Sequence, residues 1–185
     1  MQKFGIVLIF LLWLPFSTNG QEVIEGVIDL SKVDLKNRAV PLNGEWEFYW
    51  KELVKPDSMR FYEPDYYQFP KLWNGGTTKN GQELTSVGYA TYRVRVILPP
   101  KTPELAISLG ESYNAYLLYY DGFEFGQNGQ VGKTKESSVP DWMPKVLSLA
   151  RYQNTLEFVL QVSNFRHTKG GVREPILIGD RRVLN

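Results

Sequence analysis

The chain's single histidine, His167, lies in the polar stretch Ser163-Asn164-Phe165-Arg166-His167 and is the residue best suited to proton transfer or ligand contact. As a catalytic base it would need a nucleophile beside it and a carboxylate to orient it. Ser163 is four residues away, but no Gly-x-Ser-x-Gly elbow occurs and the stretch reads as strand end and loop. His167 is therefore read either as a hydrogen-bonding group for a ligand, beside Asn164 and Arg166, or as a residue that satisfies turn backbone. Glu45 and Glu47 are two apart and share one face of a regular strand. Glycoside hydrolysis needs two carboxyls flanking the scissile bond, yet nothing here supplies the cleft, and a solvated face accounts for the pair. One histidine and no cysteine exclude an ordinary zinc site, and no Asp-x-Asp-x-Asp-Gly calcium loop is present. A calcium held by loop carbonyls stays open. No cofactor is expected.

Chemistry of recognition is better represented. Arg93 and Arg95 alternate on the polar face of a strand, where they either pack their stems on neighbours or offer guanidinium forks to hydroxyls or a carboxylate. Trp73, Trp142 and Tyr113 are candidates for stacking on the apolar face of a sugar ring, with burial as a lid over the core as the alternative for the tryptophans.

The elements that must position these residues are strands. Trp46, Phe48 and Trp50 alternate with Glu45, Glu47 and Tyr49, and a core role explains them. Tyr92, Val94, Val96 and Leu98 form a second alternating set, and Leu156, Phe158, Leu160 and Val162 a third. Shorter strands are expected over 66–69, 105–109, 115–120, 123–125, 145–149 and 176–178. Asp121-Gly122 joins two aromatic-rich runs as a two-residue hairpin. Pro99-Pro100 ends the Tyr92 strand, and 51–55 is the one short helical piece expected. Eight or nine antiparallel strands without βαβ units imply an all-β sandwich or barrel. The polar segment 74–87 reads as a long loop on that scaffold.

Composition sets the remaining bounds. A formal net charge of +1 offers no basic patch for nucleic acid. Lys3 followed by the apolar run 4–16, with Thr18 and Gly20 ahead of Gln21, reads as a cleaved signal peptide over residues 1–20, the alternative being an uncleaved anchor that the short apolar run argues against. The remainder, 21–185, is expected to be one exported domain, periplasmic or on the extracytoplasmic face of the membrane, and its lack of cysteine suits a bacterial setting.

Four stretches carry a resemblance. They are Leu42-Asn43-Gly44-Glu45-Trp46-Glu47-Phe48-Tyr49-Trp50, Phe69-Pro70-Lys71-Leu72-Trp73-Asn74, Gly88-Tyr89-Ala90-Thr91-Tyr92-Arg93-Val94-Arg95, and Gln161-Val162-Ser163-Asn164-Phe165-Arg166-His167-Thr168-Lys169-Gly170-Gly171. Their order and spacing resemble the extracellular sensor domain of bacterial seven-transmembrane receptors with diverse intracellular signalling modules. The first three are also similar to the sugar-binding domain of β-galactosidase and β-glucuronidase type hydrolases. Both resemblances imply an antiparallel jelly-roll β-sandwich of the galactose-binding class. They imply an extracytoplasmic sensor domain that recognises a carbohydrate or similar polar small molecule and has no catalytic residues of its own. A membrane-embedded signalling module is the implied partner, and any kinase or cyclase output would lie outside these residues. The competing readings are an accessory domain of a carbohydrate-active system and a protein-interaction module. Convergence of the matching segments places a ligand site at Trp73, Asn74, Arg93, Asn164, His167 and Arg173, with Gly170-Gly171 letting backbone approach the ligand.

Overall fold

The computed structural model describes residues 21–150 and 153–185. Segment 1–20, expected to be a signal peptide, lies outside the described residues.

Thirteen strands run in chain order: β1 (Val27–Asp29), β2 (Val40–Pro41), β3 (Gly44–Trp50), β4 (Asp65–Phe69), β5 (Lys71–Leu72), β6 (Gly88–Ile97), β7 (Leu105–Leu109), β8 (Ala115–Tyr120), β9 (Phe123–Asn128), β10 (Lys145–Ser148), β11 (Thr155–Asn164), β12 (Gly171–Val172) and β13 (Ile176–Asp180). The nine strands of four or more residues match the alternating runs. The other four are two or three residues long, too short for periodicity to register.

One sheet has the order β4-β3-β6-β11-β8-β9, and the other β10-β7-β13-β2. All their pairings are antiparallel except that of β1, which runs parallel to the end of β6 where β3 leaves off: Glu47 is opposite Arg93, and Val27 opposite Arg95. β5 and β12 form a small separate ladder. The result is an antiparallel β-sandwich. Asp121 and Gly122 both have positive φ (45° and 88°), the geometry of the tight β8–β9 hairpin.

Between the sheets lie Trp46, Phe48, Tyr92, Val94, Val96, Ile107, Phe158 and Leu160, all buried, with Trp50 packed against them. Each large apolar side chain withdrawn from water here contributes about 1.5–3 kcal/mol. Trp46 stacks on Phe69 at 4.1 Å between centroids, and both meet Tyr92 edge-on.

The outer face of the large sheet departs from the expected polar surface. The segment from Lys51, which has φ 58°, folds back over it and continues into a 3-10 turn at Pro56–Phe61, so the expected helix at 51–55 does not form there. Val54 accepts from Gln161 Nε2 (3.0 Å) and donates to Thr91 Oγ1 (2.9 Å). Under this cover Tyr49, Val54, Met59, Tyr119 and Val159 make a second apolar cluster. A short helix, α1 (Arg181–Leu184), ends the chain, its first turn capped by the Asp180 carboxylate.

Candidate functional site

Three loops converge at one end of the sandwich: 110–114 between β7 and β8, 165–170 between β11 and β12, and 173–175 between β12 and β13. They enclose a groove of about 430 Å³ lined by Glu111, Tyr113, Asn114, His167, Arg173 and Glu174, among others. That volume falls in the range of small-ligand clefts, roughly 300–1,000 Å³.

Each loop is held by specific bonds. Asn114 is 97% withdrawn from solvent and donates through Nδ2 to Gly171 O at 2.5 Å, tying the first loop to β12. Its Oδ1 is buried and has no partner. A buried acceptor without a donor is costly unless something arrives to fill it.

Tyr113, half exposed, stacks on the His167 ring at 5.0 Å with only 12° between planes, a flat double-ring wall. The Lys169 backbone N–H donates to His167 Nδ1 at 3.2 Å. Nδ1 also lies 3.3 Å from Lys169 O, so both backbone groups of Lys169 hold the ring in place. Arg173 and Glu174 complete the lining from the other side.

Of the six residues read from sequence, His167 and Arg173 line this groove. Asn164 and Asn74 shape it from behind. Asn164 Nδ2 donates to Ser86 O and to His167 O, both 2.7 Å, while Oδ1 accepts from His167 N at 2.9 Å. All of that bonding is spent on holding the His167 loop. Asn74 clips the same loop, donating to Thr168 O at 2.7 Å and accepting from Gly170 N at 3.1 Å.

Trp73 and Arg93 are elsewhere, and both placements correct the sequence reading. Trp73 is fully buried in the core, where its Nε1 donates to Tyr92 Oη at 2.6 Å. It offers no ring face to a ligand. Arg93 projects from the opposite, outer face of the large sheet. There it donates to Glu157 through Nε (2.8 Å) and Nη2 (2.5 Å), and to Glu47 through Nη1 (3.1 Å).

Glu47 also accepts from Tyr49 Oη (2.9 Å) and Arg95 (3.2 Å), and it is buried rather than solvated as expected. The network exists because β3, β6 and β11 set Glu47, Arg93, Arg95 and Glu157 side by side across the ladder. Burial and the adjacent Glu47 charge push the Tyr49 phenol well up, so it stays protonated.

Gly170 and Gly171 serve packing rather than ligand approach. A Cβ on Gly170 would collide with Ser86 O, and one on Gly171 (φ 95°) would press on Lys71 O and Trp73.

The serine and the first glutamate of the two pairings weighed from sequence, Ser163 with His167 and Glu45 with Glu47, are engaged elsewhere. Ser163 is buried and bonded to Ser138 Oγ (2.9 Å) and to Gly132 N (3.1 Å), and Glu45 pairs with Lys79 (3.3 Å). Among the described residues no group of three or more His, Cys, Asp or Glu side chains is placed to hold a metal ion. Asn114 and the Glu111–Glu174 rim were missed in the sequence. Asn114 sits between Tyr113, which sequence did single out, and a strand, with no motif to mark it.

No protein-family model and no curated protein sequence matches the chain. Solved structures do. A β-glucuronidase from an uncultured Clostridium sp. superposes on 78% of this chain with TM-score 0.56 and 13% identity, the match spanning 29% of that chain. The Ruminococcus gnavus β-glucuronidase in complex with D-glucuronic acid matches 76% of this chain and 29% of its own (TM-score 0.56, 14% identity). A β-glycosidase from Bacteroides vulgatus matches 76% of this chain and 20% of its own (TM-score 0.55, 16% identity). The chain is thus similar in fold to a part, under a third, of each of these sugar hydrolases.

Proposed function

We propose that this chain is a non-catalytic carbohydrate-binding domain, exported from a bacterial cell, that reports its ligand to a membrane signalling module. One observation carries the binding part. A stacked Tyr113–His167 wall stands beside the buried Asn114 Oδ1 that no protein donor satisfies. A pyranose matches that pair, since its C–H face covers an aromatic wall and its hydroxyls are donors for a bare acceptor. The similarity in fold to portions of sugar hydrolases supports the same reading. Export and the sensor role rest on the signal-like segment 1–20 and the resemblance of the four sequence stretches.

The test is a thermal-shift panel of saccharides, sugar acids included, on residues 21–185. A ligand at one hundred times its Kd stabilises the native state by about 2.7 kcal/mol. Tyr113→Ala should abolish that shift while leaving the unliganded melting temperature unchanged, because Tyr113 is half exposed. If no saccharide raises the melting temperature, the proposal falls. Export is checked by N-terminal sequencing of periplasmic material, expected to begin at or near Gln21. A protein-interaction role has one observation of its own: Trp142 and Met143 stand adjacent and largely exposed, at 66% and 56%.

A further inference from the structure

Behind the groove, and sharing Glu111, Ser112, Arg173 and Glu174 with it, is a recess of about 30 Å³. Its walls include Leu109, Leu160, Val162 and Ile176, side chains of the inter-sheet core. Tyr116 also lines it, and the Tyr116 hydroxyl is buried with no hydrogen-bond partner. The Glu174 carboxylate packs directly on Gly110 at the mouth, where any Cβ on that glycine would collide with it. Both Gly110 and Glu174 line the recess.

We infer that this recess receives the exocyclic hydroxymethyl arm of a neutral hexopyranose, which makes the proposed carbohydrate site selective for hexoses over pentoses and uronic acids. The inference rests on the carbohydrate reading of the groove and adds the class of sugar. Three features of the recess decide it. A cavity holds a water once it offers roughly 10–15 Å³, so this one admits one or two non-hydrogen atoms, the size of a CH2OH group.

The apolar walls suit the methylene, and the Tyr116 hydroxyl, able to donate or accept, suits the terminal oxygen. The Glu174 carboxylate accepts from a hydroxyl but repels a second carboxylate brought into the same narrow mouth. A pentopyranose leaves the recess empty of ligand atoms and Tyr116 unpaired. A uronate brings a further carboxylate to a recess whose charged lining is net acidic, Glu111 and Glu174 against the single guanidinium of Arg173.

The test titrates sugars in pairs against residues 21–185 by heteronuclear NMR: glucose, xylose and glucuronate as one set, galactose, L-arabinose and galacturonate as the other. At least one hexose should bind about tenfold or more tightly than both its pentose and its uronate counterparts, the discrimination typical of a fitted one-carbon pocket. Tyr116→Phe should bring hexose and pentose affinities together while pentose affinity stays unchanged. The variant should melt no lower than the wild type, since its hydroxyl has no protein partner to lose. Equal binding across a set, preference for the uronate, or early melting of Tyr116→Phe overturns the inference while leaving the groove's role as a sugar site intact. Absence of binding by every saccharide overturns both.

Discussion

Replacing Tyr92 with Phe isolates a single bond at the centre of the molecule. Tyr92 and Trp73 are both fully buried, and Trp73 Nε1 donates to Tyr92 Oη at 2.6 Å. The substitution keeps the ring that packs on Phe48, Trp46 and Phe69, so no large cavity forms. What changes is that the fully buried indole N–H loses its acceptor. Leaving a buried donor unsatisfied costs about 1–3 kcal/mol. For a domain of this size each kcal/mol lowers Tm by roughly 2–4 °C, so Tyr92→Phe should melt about 4–8 °C early at the middle of that range.

Urea unfolding followed by near-ultraviolet circular dichroism would read the same loss as a lower midpoint with an unchanged slope. Adding Trp73→Phe removes the orphaned donor as well as the indole, so the double variant should lose less than the two single losses combined. Saccharide affinity should stay within about twofold, because neither residue lines the groove. A loss under about 0.5 kcal/mol, or intact stability with lost binding, would return Trp73 to the ligand site and refute its assignment to the core.

The other expectations concern the groove's supports, the outer-face network and the tyrosines. Asn164→Ala should lower both stability and saccharide affinity, since it frees the loop that carries His167; a change in affinity alone would mean that Asn164 touches ligand directly. Arg93→Ala should cost about 1–2 kcal/mol in chemical unfolding, less than the 3–5 of a sealed ion pair because its side chain is 23% exposed and Arg95 still reaches Glu47. Saccharide binding by that variant should be normal.

At high pH the buried phenols set the limit: burial pushes Tyr92 far up, and burial with the Asp141 charge lifts Tyr116 to about 12. Unfolded tyrosine loses its proton near pH 10 while these folded ones keep theirs. Stability should therefore be constant with respect to these groups below about pH 10 and fall as pH rises toward 12 and beyond. Tyr92→Phe and Tyr116→Phe should each flatten that fall. Phenolate absorbance appearing near pH 10 from either tyrosine in the still-folded protein would contradict it.

Local pattern alone determined most of the sandwich. Trp46-x-Phe48-x-Trp50 and Leu156-x-Phe158-x-Leu160-x-Val162 are legible because a strand's side chains alternate with period two and the inward set must be apolar. Asp121-Gly122 is legible because few residues tolerate two successive positive φ angles. Tertiary structure decided what covers the second face. Nothing in Glu47, Val159 or Gln161 announces that the segment after Lys51 will fold across them, and that cover turns an expected polar surface into a buried network.

The candidate site was half legible for the same reason. His167 and Arg173 stood out as types, but Asn164 and Asn74 turned out to spend their amides on backbone 2–96 residues away in sequence. Asn114 looks like any loop asparagine until the fold buries its Oδ1 without a donor. Residue type limits which hydrogen bonds a side chain can make. Which of them are left unmade, and so remain for a ligand, depends on distances between segments far apart in the chain, and those exist only once the sheets have packed.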